Sequence, residues 1–313
     1  MSRIHEALKR AEREKSGLRP DAAAAEPAPR AAAATSPAAA VQPAPAANAS
    51  AAASAIAAAV TPGAPQAMPV AAPWVASPAP ALLESCRRLR WQGDASKLFF
   101  LSTRHNTFAT EQLRTLRTRL YQVREGRPLK TVLVTSAMPG EGKTFVCANL
   151  AYALARQSGH RILLMDCDLR SAGLHTLLGA PGEPGLTAYL RGKATAEQIL
   201  QRGPQDNLFL IPGGHAAANP AELLAGGKLK GLLEQLAPLF DWILLDTPAA
   251  GPVADALRIA AWCDGVLLVV EGGRTPYDMA QQVAAELPAK RLLGVVLNRT
   301  NPLDGAAGIF ATH

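Results

Sequence analysis

The sequence of 313 residues is poor in cysteine and in aromatic residues, and it has no long apolar run. Its four cysteines stand apart, without a CxxC pair or a His/Cys cluster at metal-ligand spacing. This spacing argues against a disulfide framework and against structural zinc, and it favours buried free thiols. The longest bulky apolar runs have the length of strands, as at residues 266–270, so no transmembrane helix is predicted. The N-terminus carries charge throughout and lacks the apolar region of a secretory signal, which leads us to expect a cytoplasmic protein.

The composition divides the chain into three parts. Residues 21–80 contain 29 Ala and 11 Pro but only three charged residues. So few large apolar side chains cannot offset the entropy of ordering, and a disordered linker is predicted there. Residues 1–20 hold a narrow apolar stripe at helical spacing after Ser2, which predicts a short amphipathic helix that either frays or docks on a partner. Residues 81–313 are left for one large domain.

The formal charge of +7 is unevenly distributed along the chain. Residues 81–130 hold eleven basic and four acidic residues, whereas residues 131–313 hold fourteen basic and sixteen acidic residues. A basic surface can bind nucleic acid or anionic lipid. Because aromatic residues do not alternate with the basic ones, and the sequence has no known DNA-binding pattern, we expect no nucleic-acid partner.

From Thr131 onward, short apolar runs alternate with segments of helical period. The runs are residues 131–136, 161–165, 207–211, 242–245, 265–270 and 292–297. Continuous runs of this kind are typical of strands that are covered on both faces. Strands separated by helices form βαβ units, so the sequence predicts an α/β fold with a doubly wound, mostly parallel sheet and helices on both faces. Ligands of such sheets bind at the carboxyl ends of the strands.

The first of these strand ends leads into a phosphate-binding loop. Residues 137–144 fit the loop pattern with Ala in the first Gly position, and a helix is predicted from Phe145 to Ala155. The loop N–H groups and the helix N-terminus can hold phosphate, with Lys143 on the β/γ oxygens and the Thr144 hydroxyl on Mg²⁺. The sequence therefore predicts a P-loop NTPase that uses ATP and Mg²⁺. The residues expected to line the nucleotide are Pro139, Gly140, Glu141, Gly142, Lys143, Thr144 and Phe145.

Polar residues also follow three further strands. Asp166 and Asp168 come at the end of the second run, where i, i+2 spacing places them on one face of an extended backbone. One carboxylate can support Mg²⁺ while the other accepts a proton from the attacking nucleophile. Asp246 ends the run at 242–245 and is followed by Thr-Pro, which resembles a Walker B motif that supports the metal. Asn298, after the last run, either reads the adenine edge or forms a turn.

Together these motifs resemble the bacterial tyrosine autokinases of capsule and exopolysaccharide assembly. The resemblance rests on a P-loop with Met138 at its second position, the Asp-x-Asp-x-Arg pattern at 166–170 and the Asp-x-Pro pattern at 246–248. Residues 111–117 are similar to the Glu-x-x-Arg-x-x-Arg element of that family, and residues 219–224 are similar to another recurring segment. The likeness covers about residues 105–300.

The resemblance implies an ATP-dependent protein-tyrosine kinase that regulates capsular or exopolysaccharide biosynthesis and export. It implies that Lys143 and Thr144 bind the nucleotide and Mg²⁺, and that Asp168 and Asp246 support the metal. It also implies that Asp166 is the base that activates a tyrosine hydroxyl.

The family likeness further implies self-association and a membrane partner. Glu111, Arg114 and Arg117 are expected on an exposed helix face that contacts a neighbouring subunit in a ring-like homo-oligomer. Many relatives carry membrane helices and a C-terminal tyrosine cluster in the same chain, and neither pattern is found here. A separate inner-membrane polysaccharide co-polymerase is therefore expected to recruit the chain to the inner face of the membrane. Of the four tyrosines, Tyr152 is expected in the core, so the phosphoryl acceptor stays open.

Two other functions remain as alternatives. A switch ATPase of polysaccharide export, or of partition-like positioning, would have the same fold and motifs but would phosphorylate no tyrosine. The partition ATPases carry a signature lysine where this chain has Met138, which favours the kinase. A nucleotide-bound scaffold with little turnover is disfavoured because the carboxylates at 166, 168 and 246 form a complete set.

Overall fold

The computed structural model describes residues 79–101, 108–157, 159–251, 254–300 and 309–311. The helix predicted within 1–20 and residues 21–78 of the predicted linker lie outside these described residues. The first described helix begins at Ala79, two residues before the predicted start of the domain. Its Leu82 and Leu83 are buried, which draws the end of the predicted linker into the folded domain.

The elements alternate between strand and helix over most of the described chain. In chain order they are α1 (Ala79–Glu84), β1 (Arg87–Arg88), α2 (Phe108–Gly126), β2 (Thr131–Ser136), α3 (Lys143–Ala155), β3 (Ile162–Asp166), α4 (Leu174–Leu178), α5 (Leu186–Leu190), α6 (Ala196–Ile199), β4 (Gln201–Arg202), β5 (Leu208–Ile211), α7 (Pro220–Ala225), α8 (Lys228–Leu236), β6 (Trp242–Asp246), α9 (Asp255–Ala260), β7 (Gly265–Glu271), α10 (Tyr277–Glu286), β8 (Leu292–Asn298) and β9 (Ile309–Ala311). The six predicted strands are confirmed as β2, β3, β5, β6, β7 and β8, each within one residue at either end.

The strands form one sheet in the order β1-β4-β5-β3-β6-β2-β7-β8-β9. The six long strands from β5 to β8 pair in parallel. The short strands β4 and β9 add antiparallel pairs at the two sides, and β1 pairs with β4 in parallel. The predicted doubly wound α/β fold is therefore confirmed, with its parallel carboxyl ends aligned along one edge.

Alternate residues of the strands pack into separate cores on the two faces of the sheet. Leu133, Leu163 and Ile243 pack on one face, whereas Val132 and Leu164 pack on the other. Strands with both faces buried are apolar at successive positions, which explains the continuous runs in the sequence.

Helix α3 is apolar around most of its circumference, and ten of its thirteen residues are buried. It packs against the sheet and against α2, whose buried Leu113, Leu116 and Leu120 recur at helical spacing. The four cysteines are free and buried, as the sequence predicts. Within the described part of the chain, no helix combines the length and the apolar character that a bilayer crossing requires.

Candidate nucleotide-binding site

The P-loop joins β2 to α3 at the carboxyl edge of the sheet. Gly140 and Gly142 have φ angles of 86° and 91°, which side chains other than glycine rarely adopt. A Cβ atom at Gly142 would lie 2.3 Å from the Asn298 amide nitrogen, so a larger residue there would also displace the Asn298 amide. Helix α3 begins directly afterwards at Lys143, and its first N–H groups face the loop as phosphate donors.

Lys143 lies among the carboxylates that follow β3 and β6. Its Nζ is 3.1 Å from Asp168 Oδ2, and both side chains are largely buried. Burial alone would lower the pKa of Lys143, but the charges of Asp246, Asp168 and Asp166 raise it overall. The lysine is therefore a stable ammonium group, which is the charge that a nucleotide phosphate requires.

Asp246 ends β6 and is fully buried beside the P-loop. Neither of its carboxylate oxygens has a hydrogen-bond partner of ordinary geometry among the described residues. Burial raises the pKa of Asp246, against the lowering effects of the Lys143 ammonium and the Thr144 hydroxyl. A buried carboxylate whose oxygens accept no hydrogen bond of ordinary geometry is costly, and a bound cation would offset that cost.

The donors at this edge fit Mg²⁺. Asp246, Asp168 and the Thr144 hydroxyl offer the oxygen ligands that Mg²⁺ prefers, and Mg²⁺ in nucleotide sites takes its other ligands from water and phosphate. In the described ranges, no three His, Cys, Asp or Glu side chains form a ready cage for a metal.

Asp166 is buried and bonded on both carboxylate oxygens. Oδ1 accepts from the Asp168 N–H at 3.1 Å, and Oδ2 accepts from the N–H groups of Gly173 at 3.0 Å and Leu174 at 3.1 Å. Burial and the charge of Asp246 raise the pKa of Asp166 well above its usual range, although the backbone N–H donors act in the opposite direction. In this structure the carboxylate anchors the loop after β3 to the start of α4, and its role as a base stays a prediction.

Asn298 holds the P-loop from the end of β8. Its Nδ2 donates to the Glu141 carbonyl at 2.8 Å, so the amide is already in contact with the loop. The following Arg299 has a φ of 56°, and its Nη1 lies 3.0 Å from Glu271 Oε2. Arg274 Nη1 lies 3.2 Å from the same oxygen. The predicted contact with adenine stays a prediction, whereas the contact with the P-loop is a finding.

The side chain of Glu141 ties the P-loop to the loop after β7. Its Oε2 accepts from the Met138 N–H at 2.8 Å, and its Oε1 accepts from the Thr275 hydroxyl. The Thr275 hydroxyl also accepts from the Glu271 N–H at 2.9 Å. Burial raises the pKa of Glu141, against the lowering effect of these donors. Thr275 belongs to no sequence motif, so only the structure identifies it.

Of the other predicted nucleotide-lining residues, Pro139 is exposed together with Gly140 at the tip of the loop. Phe145 is half-buried and packs edge-on against Phe99, with ring centroids 5.2 Å apart. Arg170, the last residue of the Asp-x-Asp-x-Arg pattern, lies with its Nη2 3.0 Å from Asp255 Oδ2. This ion pair connects the loop after β3 to α9, and the sequence gives no sign of it.

The Glu-x-x-Arg-x-x-Arg element lies on α2. Arg114 forms an ion pair with Glu111 within the helix, and Arg117 Nη1 donates to the Ala153 carbonyl of α3 at 3.0 Å. Glu111 is exposed, but Arg114 and Arg117 are half-buried. This helix face is thus partly accessible, with the Arg114 side chain 37% exposed, and its predicted contact with a neighbouring subunit stays a prediction.

All four tyrosines are buried or half-buried. Tyr152 is 1% exposed, as predicted for a core residue. The Tyr121 hydroxyl contacts His160 Nδ1 at 2.7 Å, and Tyr189 and Tyr277 pack against the core. A tyrosine must enter a kinase site freely to accept phosphate, so this arrangement does not present these side chains as acceptors.

Comparison with known proteins gives the family. Residues 132–307 match the CobQ/CobB/MinD/ParA nucleotide binding domain. The chain is 36% identical over 198 residues to tyrosine-protein kinase YwqD of Bacillus subtilis (strain 168). The matched region covers 63% of this chain and 83% of YwqD. It is also 34% identical over 201 residues to the succinoglycan biosynthesis transport protein ExoP of Rhizobium meliloti (strain 1021). This matched region covers 63% of this chain and 25% of ExoP.

Among solved structures, the kinase domain of the Escherichia coli tyrosine kinase ETK matches with a TM-score of 0.61 and 30% identity, over 64% of this chain and 79% of that one. The fold, the P-loop and the sequence similarity agree. The chain therefore belongs to the CobQ/CobB/MinD/ParA nucleotide-binding family and, within it, to the bacterial tyrosine-protein kinases.

Proposed function

We propose that the chain is an ATP-dependent protein-tyrosine kinase that acts in capsular or exopolysaccharide biosynthesis and export. The observation that carries the proposal is the position of Lys143, an ammonium group held at the P-loop beside Asp168 and close enough to Asp246 for the two charges to interact. The relatives support the tyrosine specificity and the polysaccharide context, since they are named as tyrosine kinases and as a succinoglycan transport protein.

Different residues of the site would bind the phosphates and the Mg²⁺ during phosphoryl transfer. Lys143 would leave Asp168 and neutralise the β/γ-phosphate oxygens, while the loop N–H groups hold the phosphate chain. Thr144, Asp168 and Asp246 would hold Mg²⁺, which when bound supplies positive charge to the phosphates. When Lys143 moves to the phosphate oxygens, the Asp168 carboxylate becomes free to hold Mg²⁺. Nucleotide binding and Mg²⁺ binding would therefore support each other.

We propose that Asp166 accepts the proton of the attacking tyrosine hydroxyl. The raised pKa of this carboxyl supports the role, because a stronger base accepts a proton more readily. Its three N–H donors oppose the role, since each bond stabilises the ionised form. The loop after β3 would have to release at least one of these bonds when the acceptor binds.

The proposed kinase needs a tyrosine that accepts the phosphoryl group and protein partners that position the chain. Because the tyrosines of this chain are buried or half-buried, we propose that the acceptor tyrosine belongs to another polypeptide. A separate inner-membrane polysaccharide co-polymerase would recruit the chain to the cytoplasmic face of the membrane, with residues 1–20 as its docking segment. Glu111, Arg114 and Arg117 would contribute to contacts between subunits of a homo-oligomer.

The proposal is tested by incubating the purified chain with Mg²⁺-ATP and a tyrosine-containing copolymer, followed by detection of phosphotyrosine. We expect phosphotyrosine on the copolymer, and a loss of about a hundredfold or more in Lys143→Met, because a neutral side chain cannot stabilise the phosphate charge. Phosphate release at the wild-type rate without any phosphotyrosine would instead identify a switch ATPase.

A further inference from the structure

A cavity lies at the end of α3 opposite the P-loop. It has a volume of about 280 Å³ and is lined by Phe100, Arg114, Arg117 and Arg156. Helix α3 begins at Lys143 and ends one residue before Arg156. At a rise of 1.5 Å per residue the cavity is roughly 20 Å from the P-loop lysine, so it is separate from the nucleotide site. We call these four residues the arginine pocket.

Two of the three guanidinium groups are fixed in place by backbone carbonyls. Arg117 Nη1 donates to the Ala153 carbonyl at 3.0 Å, and Arg156 Nη2 donates to the Phe100 carbonyl at 2.8 Å. The Arg156 guanidinium also lies 5.9 Å from the centre of the Phe100 ring. The negative end of the α3 dipole favours both positive charges. Each guanidinium carries five N–H donors, so each anchor uses one donor and leaves others for a ligand.

The pocket carries more positive charge than its surroundings neutralise. Glu111 pairs with Arg114, and within the described ranges it is the one carboxylate that forms an ion pair with any of the three arginines. Three guanidinium groups and one carboxylate leave an excess of two positive charges. A phosphate monoester carries nearly two negative charges at neutral pH, and clustered arginines bind it through paired, charge-assisted hydrogen bonds.

The fourth residue of the arginine pocket favours a phosphate monoester that carries an aromatic ring. Phe100 contributes an aromatic ring beside the guanidinium groups, and a second ring can stack on it or against an arginine. The volume is at the lower limit of small-ligand pockets, about 300–1,000 Å³, which suits one side chain better than a nucleotide.

We propose that the arginine pocket binds the phosphotyrosine side chain of another polypeptide. The proposal does not require that this chain is itself the kinase, because the pocket is separate from the P-loop. It gives the arginines a role beyond contacts between subunits, and a bound phosphotyrosine would compete with a neighbouring subunit for Arg114 and Arg117.

The experiment is a calorimetric titration of the full chain with phosphotyrosine, inorganic phosphate and unmodified tyrosine. Phosphotyrosine is expected to bind more tightly than phosphate, and tyrosine is expected not to bind. Arg156→Gln should weaken phosphotyrosine binding about tenfold or more, since it removes a charge-assisted pair. Arg156→Lys, which keeps the charge but loses the planar fork, should fall between wild type and Arg156→Gln.

Three further variants control for position and for the nucleotide site. Glu111→Gln should tighten phosphotyrosine binding, because it removes the competing carboxylate. Arg119→Gln, on the same helix but outside the pocket, should leave the affinity unchanged, and so should Lys143→Met at the P-loop. Circular dichroism of each variant verifies that the fold is retained.

The proposal is overturned if phosphotyrosine does not bind, or if phosphate binds as tightly as phosphotyrosine. It is also overturned if Lys143→Met abolishes binding, which would place the ligand at the nucleotide site. If Arg156→Gln changes the mass measured by light scattering but leaves phosphotyrosine binding intact, the pocket is a contact between subunits and the proposal fails.

Discussion

Replacing Thr275 by valine isolates the hydrogen bonds that tie the P-loop to the rest of the sheet edge. Thr275 is 3% exposed, and its hydroxyl both donates to Glu141 and accepts from the Glu271 N–H. Valine has nearly the same shape but can do neither. The substitution therefore removes two hydrogen bonds at once while leaving the packing in place.

The expected cost comes from the groups that lose their partner. Glu141 is 2% exposed and keeps its bond from the Met138 N–H, but its second oxygen loses a donor. The Glu271 N–H loses its acceptor as well. A buried polar group left unsatisfied costs about 1–3 kcal/mol, so Thr275→Val should lower the free energy of unfolding by roughly 2 kcal/mol or more. Loosening of the P-loop should raise the KM for ATP more than it lowers kcat.

The pH dependence of the cost has a defined sign. Burial raises the pKa of Glu141 in the folded protein above its value in the unfolded chain. Below the unfolded pKa the carboxyl is protonated in both states, and the free energy of unfolding does not change. Above the folded pKa the carboxyl is ionised in both states, and the buried charge lowers the free energy of unfolding. Loss of the Thr275 donor raises the folded pKa further. The destabilisation by Thr275→Val should therefore be larger at about pH 8 than at about pH 5.

Urea unfolding of wild type, Thr275→Val and Thr275→Ser measures these effects, with KM for ATP determined on the same samples. Serine retains the hydroxyl and should restore most of the stability and the wild-type KM. Equal stability of Thr275→Val and wild type at both pH values would show that the contact between Thr275 and Glu141 contributes nothing. Serine lacks the methyl group of threonine, so a serine variant as unstable as the valine variant would show that the hydroxyl alone does not account for the stability at this position.

Three further predictions concern other residues. Asp168→Asn should raise the Mg²⁺ concentration needed for half-maximal activity by about 10- to 100-fold, because an amide is a poorer ligand, and equal Mg²⁺ titrations of variant and wild type would contradict this. Asp166→Asn should lower the free energy of unfolding by about 1–3 kcal/mol, because one amide oxygen cannot replace both carboxylate oxygens; unchanged stability with lost turnover would favour a role as base alone. Arg114→Ala/Arg117→Ala should reduce the assembly mass in light scattering, and identical masses would remove the proposed subunit contact.

The sequence predicts much of the fold of the described residues because its strands are apolar at successive positions. Continuous apolar runs identify the six parallel strands, and the helix α3 is predicted from its place directly after the P-loop. The strands β1, β4 and β9 have two or three residues each, which is too short for any pattern to show. Their pairing depends on tertiary contacts instead.

The sequence also places Lys143, Asp166, Asp168 and Asp246 at strand ends, and the structure confirms that these strand ends meet at one edge of the sheet. The sequence could not divide the roles among them. Two carboxylates with i, i+2 spacing look equivalent in the sequence, yet the structure gives Asp166 three backbone donors and gives Asp168 the lysine. Contacts between loops that are far apart in the chain, such as that of Thr275 with Glu141, have no local pattern.

The most direct test of the proposed function is how a single turnover of ATP is divided between tyrosine and water. The chain, in excess over Mg²⁺-ATP labelled in the γ-phosphate, is mixed with a saturating tyrosine copolymer, and the label is counted as phosphotyrosine and as free phosphate. We expect most of the label on tyrosine in the wild type and about a hundredfold slower labelling of tyrosine in Lys143→Met. Label recovered entirely as free phosphate, with the copolymer unmodified, would contradict the assignment of a tyrosine kinase.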